Sequence, residues 1–192
     1  MTPGEWLESG AADDRLTVRA NGSGPDFITA ANKIQFDVQV QFCRPRRWAL
    51  AGILPIWRRD RVMPRVDGVP LTDLIDRFEI EAGMQPAGGA YGGLIPTYLG
   101  DNQIDDHYRG KTAIATRSKI PLLACECGEW VCWPLLAEIV VADDVVTWDK
   151  FEQPYRPQRD YSAFGPFRFD RRQYDDALQD LAEPISSDIA GG

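Results

Sequence analysis

The chain contains little histidine and little cysteine: His107 is the only histidine among 192 residues, and there are four cysteines. A metal centre built on two histidines is therefore excluded, and so is a nucleophile–histidine–acid arrangement that does not use His107 itself. The glycines within residues 88–93 lack the Gly-x-Gly-x-x-Gly order, and no Lys-Ser or Lys-Thr pair comes directly after them. A phosphate-binding loop at that place is disfavoured.

Long apolar runs are also lacking. The longest, residues 48–57, is about half the length that a helix needs to cross a bilayer. The first residues have neither the positive region nor the apolar stretch of a signal peptide. The net charge of −8 argues against general binding to nucleic acid or to an anionic membrane. We therefore expect a cytoplasmic protein, in which thiols are kept reduced.

Strand-like segments account for much of the sequence. Residues 33–42 alternate strictly between apolar and polar side chains, which is typical of a half-buried antiparallel strand. Further strands are predicted at 62–66, 120–125, 133–141 and 145–151. The last two are predicted to form a hairpin that turns at residues 142–144.

Two helices complete the predicted fold. Pro70 suits a first helical position, and the next apolar residues follow a helical period. Asp170 is a predicted N-cap, Gln173 completes a capping-box pattern, and Pro184 is expected to end that helix. The sequence thus predicts one α+β domain over residues 1–185, with a mainly antiparallel sheet of five to seven strands flanked by two helices. Residues 186–192 are expected to form a frayed tail.

Three of the four cysteines, Cys125, Cys127 and Cys132, lie within eight residues. In a hairpin that turns at Gly128, Cys127 and Cys132 would face each other, so that three sulfur atoms would share one small patch. The spacings are Cys-x-Cys and Cys-x4-Cys, and only the second is common in structural zinc sites. A zinc site would need a fourth ligand from Cys43 or, alternatively, from His107.

Three interpretations of this cluster stay open. Zinc is the one cofactor that these residues suggest. A redox site or nucleophile would pair Cys127 with Cys132 and keep Cys125 as a resolving thiol, with His107 as an acid–base group. Reduced cysteines can also behave simply as small apolar side chains in a core.

Arginine is concentrated in one stretch, because seven of the 21 basic residues fall between positions 44 and 65. Arginine and tryptophan are enriched at the energetic centres of protein interfaces. The predicted partner-binding surface, here called the arginine patch, consists of Arg46, Arg47, Trp48, Trp57, Arg58 and Arg59. The alternative is that acidic residues of the closing helix, Asp175, Asp176 and Asp180, neutralise these arginines within the fold.

Three C-terminal segments, 121–135, 146–156 and 169–178, together resemble a group of small uncharacterised bacterial proteins. That group shares a Cys-x-Cys-Gly…Cys-Trp-Pro core and a closing Phe-Asp-Arg…Tyr helix. Relatives often have glycine where this chain has Val131, which implies a looser hairpin here. The resemblance covers about the C-terminal third and implies no activity.

The sequence therefore predicts a non-enzymatic protein-binding module of the inhibitor, immunity or regulatory type. The expected partner is a protein, not nucleic acid or a membrane, and neither the partner's identity nor the oligomeric state follows from the residues. The alternative is a thiol- or zinc-dependent enzyme that uses Cys125, Cys127 and Cys132.

Overall fold

The structure, a computed structural model, describes residues 31–43, 57–99, 104–111 and 118–189, without the side chains of 41–43, 57–59 and 183–189. Its strands are β1 (Ile34–Cys43), β2 (Trp57–Val66), β3 (Val69–Pro70), β4 (Tyr91–Gly92), β5 (Lys119–Cys125), β6 (Leu135–Val141), β7 (Val145–Glu152) and β8 (Phe167–Asp170). Its helices are α1 (Leu71–Glu81), α2 (Ile104–Tyr108) and α3 (Arg171–Ile189), and a short 3-10 turn covers Pro96–Leu99.

The strands form two antiparallel sheets. One has the order β1-β2-β3 and the other the order β4-β5-β6-β7-β8. The predicted strand at 33–42 pairs with β2 along its whole length, from Ile34 opposite Val66 to Cys43 opposite Trp57. The α+β fold class, the antiparallel sheet and the two flanking helices are confirmed. The β1–β2 hairpin forms a separate small sheet, which the sequence did not distinguish.

Two isolated bridges join the hairpin to both edges of the larger sheet. Asn32, just before β1, bridges to Phe169 in the edge strand β8. Val62 in β2 bridges to Leu94, which follows the other edge strand, β4, through two backbone hydrogen bonds of 2.7 and 3.0 Å. The hairpin therefore spans from one edge to the other, and the strands form a nearly closed ring around the core.

Aromatic side chains fill much of that ring. Trp148, Tyr174 and Phe169 are fully buried, and the indole N–H of Trp148 donates to the Tyr174 hydroxyl at 3.1 Å. The alternating face of β1 joins this core through its first half, where Phe36 and Val38 also pack against it. Ile34 is fully buried, whereas Val40 is 46% exposed, so the hairpin extends beyond the core that its first residues cover.

The closing helix begins as predicted but does not end as predicted. Asp170 accepts the backbone N–H of Gln173 through its Oδ1 at 3.0 Å, which confirms the N-cap. The Gln173 side chain does not complete a capping box; it bonds both the N–H and the C=O of Ile34, at 3.0 and 2.6 Å. α3 continues through Pro184 to Ile189, so the expected end at Pro184 is wrong. A late proline removes one backbone donor, and the helix continues past it.

None of the three helices in the described ranges is long and apolar enough to cross a lipid bilayer.

A buried ion pair joins α1 to the segment between β7 and β8. Glu79 is fully buried, and its Oε2 lies 2.8 Å from Nη2 of Arg159. The Tyr161 hydroxyl donates to Glu79 Oε1 at 2.7 Å and accepts from Arg159 Nε at 2.9 Å. Because that proton is already donated to Glu79, the Tyr91 hydroxyl, 3.0 Å away, must donate to Tyr161. The backbone N–H of Gly88 donates to Glu79 Oε2 at 3.3 Å, whereas Arg159 Nη2 pairs with that oxygen by charge without a hydrogen bond.

We expect Glu79→Gln to destabilise the protein by about 3 kcal/mol, because it leaves the charge of Arg159 buried without a counter-charge. The measurement is urea unfolding followed by circular dichroism. Glu81→Gln, at an exposed position of the same helix, is the control and should change the unfolding free energy by less than about 0.5 kcal/mol. Equal effects of the two substitutions would contradict a structural role for the pair.

Candidate metal centre

The cysteine cluster lies where β5 turns into β6. Cys125 is the last residue of β5, and β6 begins at Leu135. Cys127 and Cys132 therefore lie in the connecting segment 126–134, here called the cysteine loop, and do not face each other on paired strands. The loop folds on itself because the carbonyl of Glu129 accepts the N–H groups of Cys125 and Cys132, at 3.2 and 3.5 Å. The prediction that the three sulfur atoms lie close together in one hairpin is confirmed.

The sulfur atoms form a small triangle. All three Sγ atoms lie within 4.8 Å of one another. Cys132 Sγ is 3.3 Å from Cys125 Sγ and 3.9 Å from Cys127 Sγ. A tetrahedral zinc ion with Zn–S bonds of about 2.3 Å holds its sulfur atoms about 3.8 Å apart. Two sides of the triangle therefore lie within about 0.5 Å of the spacing in a thiolate zinc site, and the thiols are free.

The environment acts in opposite directions on the pKa values of Cys125 and Cys127. Burial raises the pKa of Cys125 to about 12. The pKa of Cys127 is lowered, first by the backbone N–H of Glu129 and then by a hydrogen bond from Cys125. Of these two thiols, Cys127 therefore loses its proton first. A metal ion that binds all three sulfurs would have to displace the proton of Cys125, so metal affinity should depend on pH.

A backbone hydrogen bond also points at the cluster, because the N–H of Cys127 donates to Cys125 Sγ at 3.5 Å. Such a donor stabilises negative charge on the sulfur that receives it. The turn that produces this contact passes through Gly128, whose φ of 95° lies in the left-handed region that favours glycine. The Cys-x-Cys-Gly sequence thus supplies both the ligand spacing and a supporting donor.

Arg61 holds one end of the cysteine loop. This residue of β2 is 7% exposed, and its Nη2 donates to the carbonyl of Glu126 at 2.8 Å. Its Nη1 also lies 3.6 Å from the Glu126 carboxylate. A Cβ at Gly92 would lie 2.5 Å from Nη1, so a side chain at position 92 would displace the guanidinium from its present place.

Contacts of Trp133 position the other end of the cysteine loop. The guanidinium of Arg156 lies 3.3 Å from the centroid of its ring, a distance at which cation–π attraction is substantial. Tyr91 approaches the same ring edge-on, with 6.4 Å between centroids. The residue next to Cys132 is therefore packed between two fixed partners. Sequence reasoning missed these supports and counted Arg61 with its neighbouring arginines; the Gly92-Gly93 pair was the available signal of a close approach.

His107 does not join the cluster. It is fully buried, and its Nε2–H donates to the carbonyl of Pro121 at 2.7 Å. Pro121 precedes Cys125 by four strand residues, or about 13 Å, and the metal-ligand group found in the described part of the chain contains only the three cysteines. His107 as an alternative fourth ligand therefore has no support from the geometry. Cys43 is the last residue of β1, and the structure describes only its backbone.

The arginine patch falls largely outside the structural description. Residues 46–48 are not described, and 57–59 are described only as backbone of β2. Of the acidic residues that were alternative internal partners, Asp175 is engaged by Arg109 and Arg171, which are not members of the patch. The patch as a partner surface stays a prediction.

Comparison of the chain with protein-family models, curated proteins and solved structures gives no match. The resemblance to the small bacterial group with the Cys-x-Cys-Gly…Cys-Trp-Pro core stays a prediction, so the function has to be inferred from the site.

We expect the buried His107 to make the protein less stable as the pH falls. Burial lowers its pKa from 6.5 to about 4, so between these values the unfolded chain takes up a proton that the folded chain does not. The unfolding free energy should therefore fall as pH decreases from 6.5 to 4, by up to about 3 kcal/mol from this group. His107→Gln keeps an N–H donor for Pro121 and removes the titration. Unfolding free energies of both proteins, measured from pH 7 to pH 4, should converge as pH falls, and parallel curves would contradict the assignment.

Proposed function

We propose that this chain is a non-enzymatic protein-binding module, of the inhibitor, immunity or regulatory type, whose cysteine loop holds a structural zinc ion. The observation that carries the metal part is the triangle of three sulfur atoms at zinc-like spacing. Thiolate ligands favour soft or borderline ions, and zinc is the common one among those without redox chemistry.

Exposure favours a metal over simple burial. Cys127 and Cys132 are exposed and Cys125 is half-buried, whereas free cysteines that act as small apolar side chains are usually among the most buried residues. Three thiols converging at the surface therefore need a reason other than core packing. A shared ion supplies one, because it would tie the end of β5 to both halves of the cysteine loop.

The surface of the loop supports a binding role. Val131, next to Cys132, is 61% exposed, and Trp130 is half-buried beside it. A metal ion would fix the backbone that presents these apolar groups, which lowers the entropy lost when a partner binds. His107 is engaged by Pro121 away from the cluster, so the thiol–imidazole pair of a cysteine nucleophile is not formed there.

The fourth ligand distinguishes a structural site from a catalytic one. Structural zinc is closed by four protein ligands, whereas catalytic zinc keeps one position for water or substrate. We propose Cys43, the chain's one cysteine outside the cluster, as the fourth ligand.

A thiol- or zinc-dependent enzyme is the second candidate. The lowered pKa of Cys127 favours it, since a thiolate is the reactive form of cysteine. A groove of about 210 Å³ lies beside the loop, lined by residues that include Arg61, Gly92 and Glu126. An open fourth position next to that groove would suit a substrate.

We expect protein purified under reducing conditions, without added metal, to contain about one zinc ion per chain. Cys125→Ser and Cys132→Ser should each weaken zinc binding by more than the roughly 10–100-fold that loss of a supporting contact costs. The measurements are elemental analysis and competition with a chromophoric chelator. His107→Gln is the matched control and should keep the zinc. Metal-free protein with unchanged thiols would contradict the proposal.

Cys43→Ser separates the two candidate functions. Zinc affinity that falls as far as in the cluster variants would identify a closed, structural site. Unchanged affinity would leave the fourth position to solvent and would favour the enzyme.

We expect substitution of the four patch arginines, Arg46, Arg47, Arg58 and Arg59, by serine to abolish binding of a protein partner isolated from the native host. The reason is that desolvated aromatic and arginine groups supply binding energy at interface centres. Circular dichroism should show an unchanged fold. The control replaces the exposed Arg77 and Arg172 by serine and should retain the partner. Retained binding by the four-arginine variant, or loss of its fold, would contradict the interface.

A further inference from the structure

The cysteine loop places one thiol between two others. Cys132 Sγ lies 3.3 Å from Cys125 Sγ and 3.9 Å from Cys127 Sγ. The pairing that the sequence suggested for a redox site, Cys127 with Cys132, is thus the longer of these two contacts. A disulfide has an S–S distance of about 2.05 Å, so Cys132 has to move about 1.2 Å to bond to Cys125.

Cys125 and Cys132, the two thiols of the shorter contact, differ in backbone constraint and in solvent exposure. Cys125 is fixed by its pairing with Tyr91 in β4 and is half-buried, whereas Cys132 is exposed in the loop. The backbone N–H of Cys132 makes a long hydrogen bond of 3.5 Å to Glu129, which a small displacement would weaken little. Cys132 is therefore the accessible and adjustable member of the pair, and Cys125 is the fixed one.

We propose that Cys132 and Cys125 are a site of reversible oxidation by hydroperoxides, which joins them in a disulfide. In the first step the Cys132 sulfur attacks one peroxide oxygen, the O–O bond breaks, and a sulfenic acid and one water (or alcohol) form. In the second step the Cys125 sulfur attacks the sulfenic sulfur, the S–O bond breaks, and its hydroxyl leaves as water with the thiol proton. The two thiols lose two electrons, and the peroxide gains them.

This modification would control the metal, and that consequence rests on the proposed zinc site. The disulfide removes two of the three clustered sulfurs as zinc ligands and leaves Cys127. A thiol reductant restores both ligands. The loop thus holds zinc when reduced and releases it when oxidised.

The spacing of glutamates allows a direct test. Glu126 separates Cys125 from Cys127, and Glu129 separates Cys127 from Cys132. Cleavage after glutamate therefore places the three cysteines in three different peptides. The protein is treated with a few equivalents of hydrogen peroxide, remaining thiols are alkylated, and the linked peptides are identified by mass spectrometry. Cys43→Ser is treated in parallel because it removes the fourth thiol.

The expected result is one crosslink between the peptide that ends at Glu126 and the peptide that begins at Trp130, which dithiothreitol reverses. Cys127→Ser should still form this crosslink, and Cys125→Ser should not. A Cys127–Cys132 crosslink, crosslinks between chains, or separate sulfinic acids without a crosslink would overturn the proposal.

The zinc arm is measured separately, with a chromophoric chelator during oxidation. One zinc released per disulfide supports the control of the metal, and zinc retained after the disulfide has formed overturns that consequence. If the reduced protein binds no zinc, the proposed zinc site fails, while the crosslink in the metal-free protein still decides the oxidation site.

Discussion

The position of the cysteine loop depends on a buried ion pair that contains no cysteine. A fully buried carboxylate is tolerated only when its charge and its oxygens are satisfied. Arg159 supplies the counter-charge to Glu79, and Tyr161 and the backbone N–H of Gly88 donate to its two oxygens. Tyr161 extends the network to Tyr91, and Tyr91 is the strand partner of Cys125. The polar network therefore fixes the end of β5 from which the loop departs.

Two arginines contact the cysteine loop near its two ends. Arg61 binds the carbonyl of Glu126 at its start, and Arg156 covers the ring of Trp133 near its end. Each of them binds a residue that is adjacent in sequence to a cysteine of the cluster, Glu126 between Cys125 and Cys127 and Trp133 after Cys132. These contacts hold the cysteine loop in a conformation in which Cys132 Sγ lies 3.3 Å from Cys125 Sγ. A small movement of Cys132 would therefore bring the two sulfurs to bonding distance.

The features that could be predicted from the sequence are those with a local or periodic pattern. The alternation at 33–42, the N-cap at Asp170 and the closeness of three cysteines in one hairpin all arise from neighbours in sequence, and the structure confirms them. Two of the features that the sequence did not reveal involve long-range contacts. Gln173 bonds to Ile34, 139 residues away, and the burial of Arg61 depends on a loop 65 residues away. No local pattern distinguishes Arg61 from the other arginines of residues 44–65.

The proposed metal would act locally, unlike the ion of a zinc finger. A zinc finger needs its ion to fold because it has little core of its own, whereas here Trp148, Tyr174 and Phe169 are fully buried in a core made mostly by residues outside the loop. The loop itself has few backbone hydrogen bonds, including the long one between Cys132 and Glu129. Segments with such sparse bonding are the ones that open independently of the rest of a protein. Zinc binding energy would therefore order the cysteine loop and its exposed Val131, and loss of zinc would change a surface without unfolding the domain.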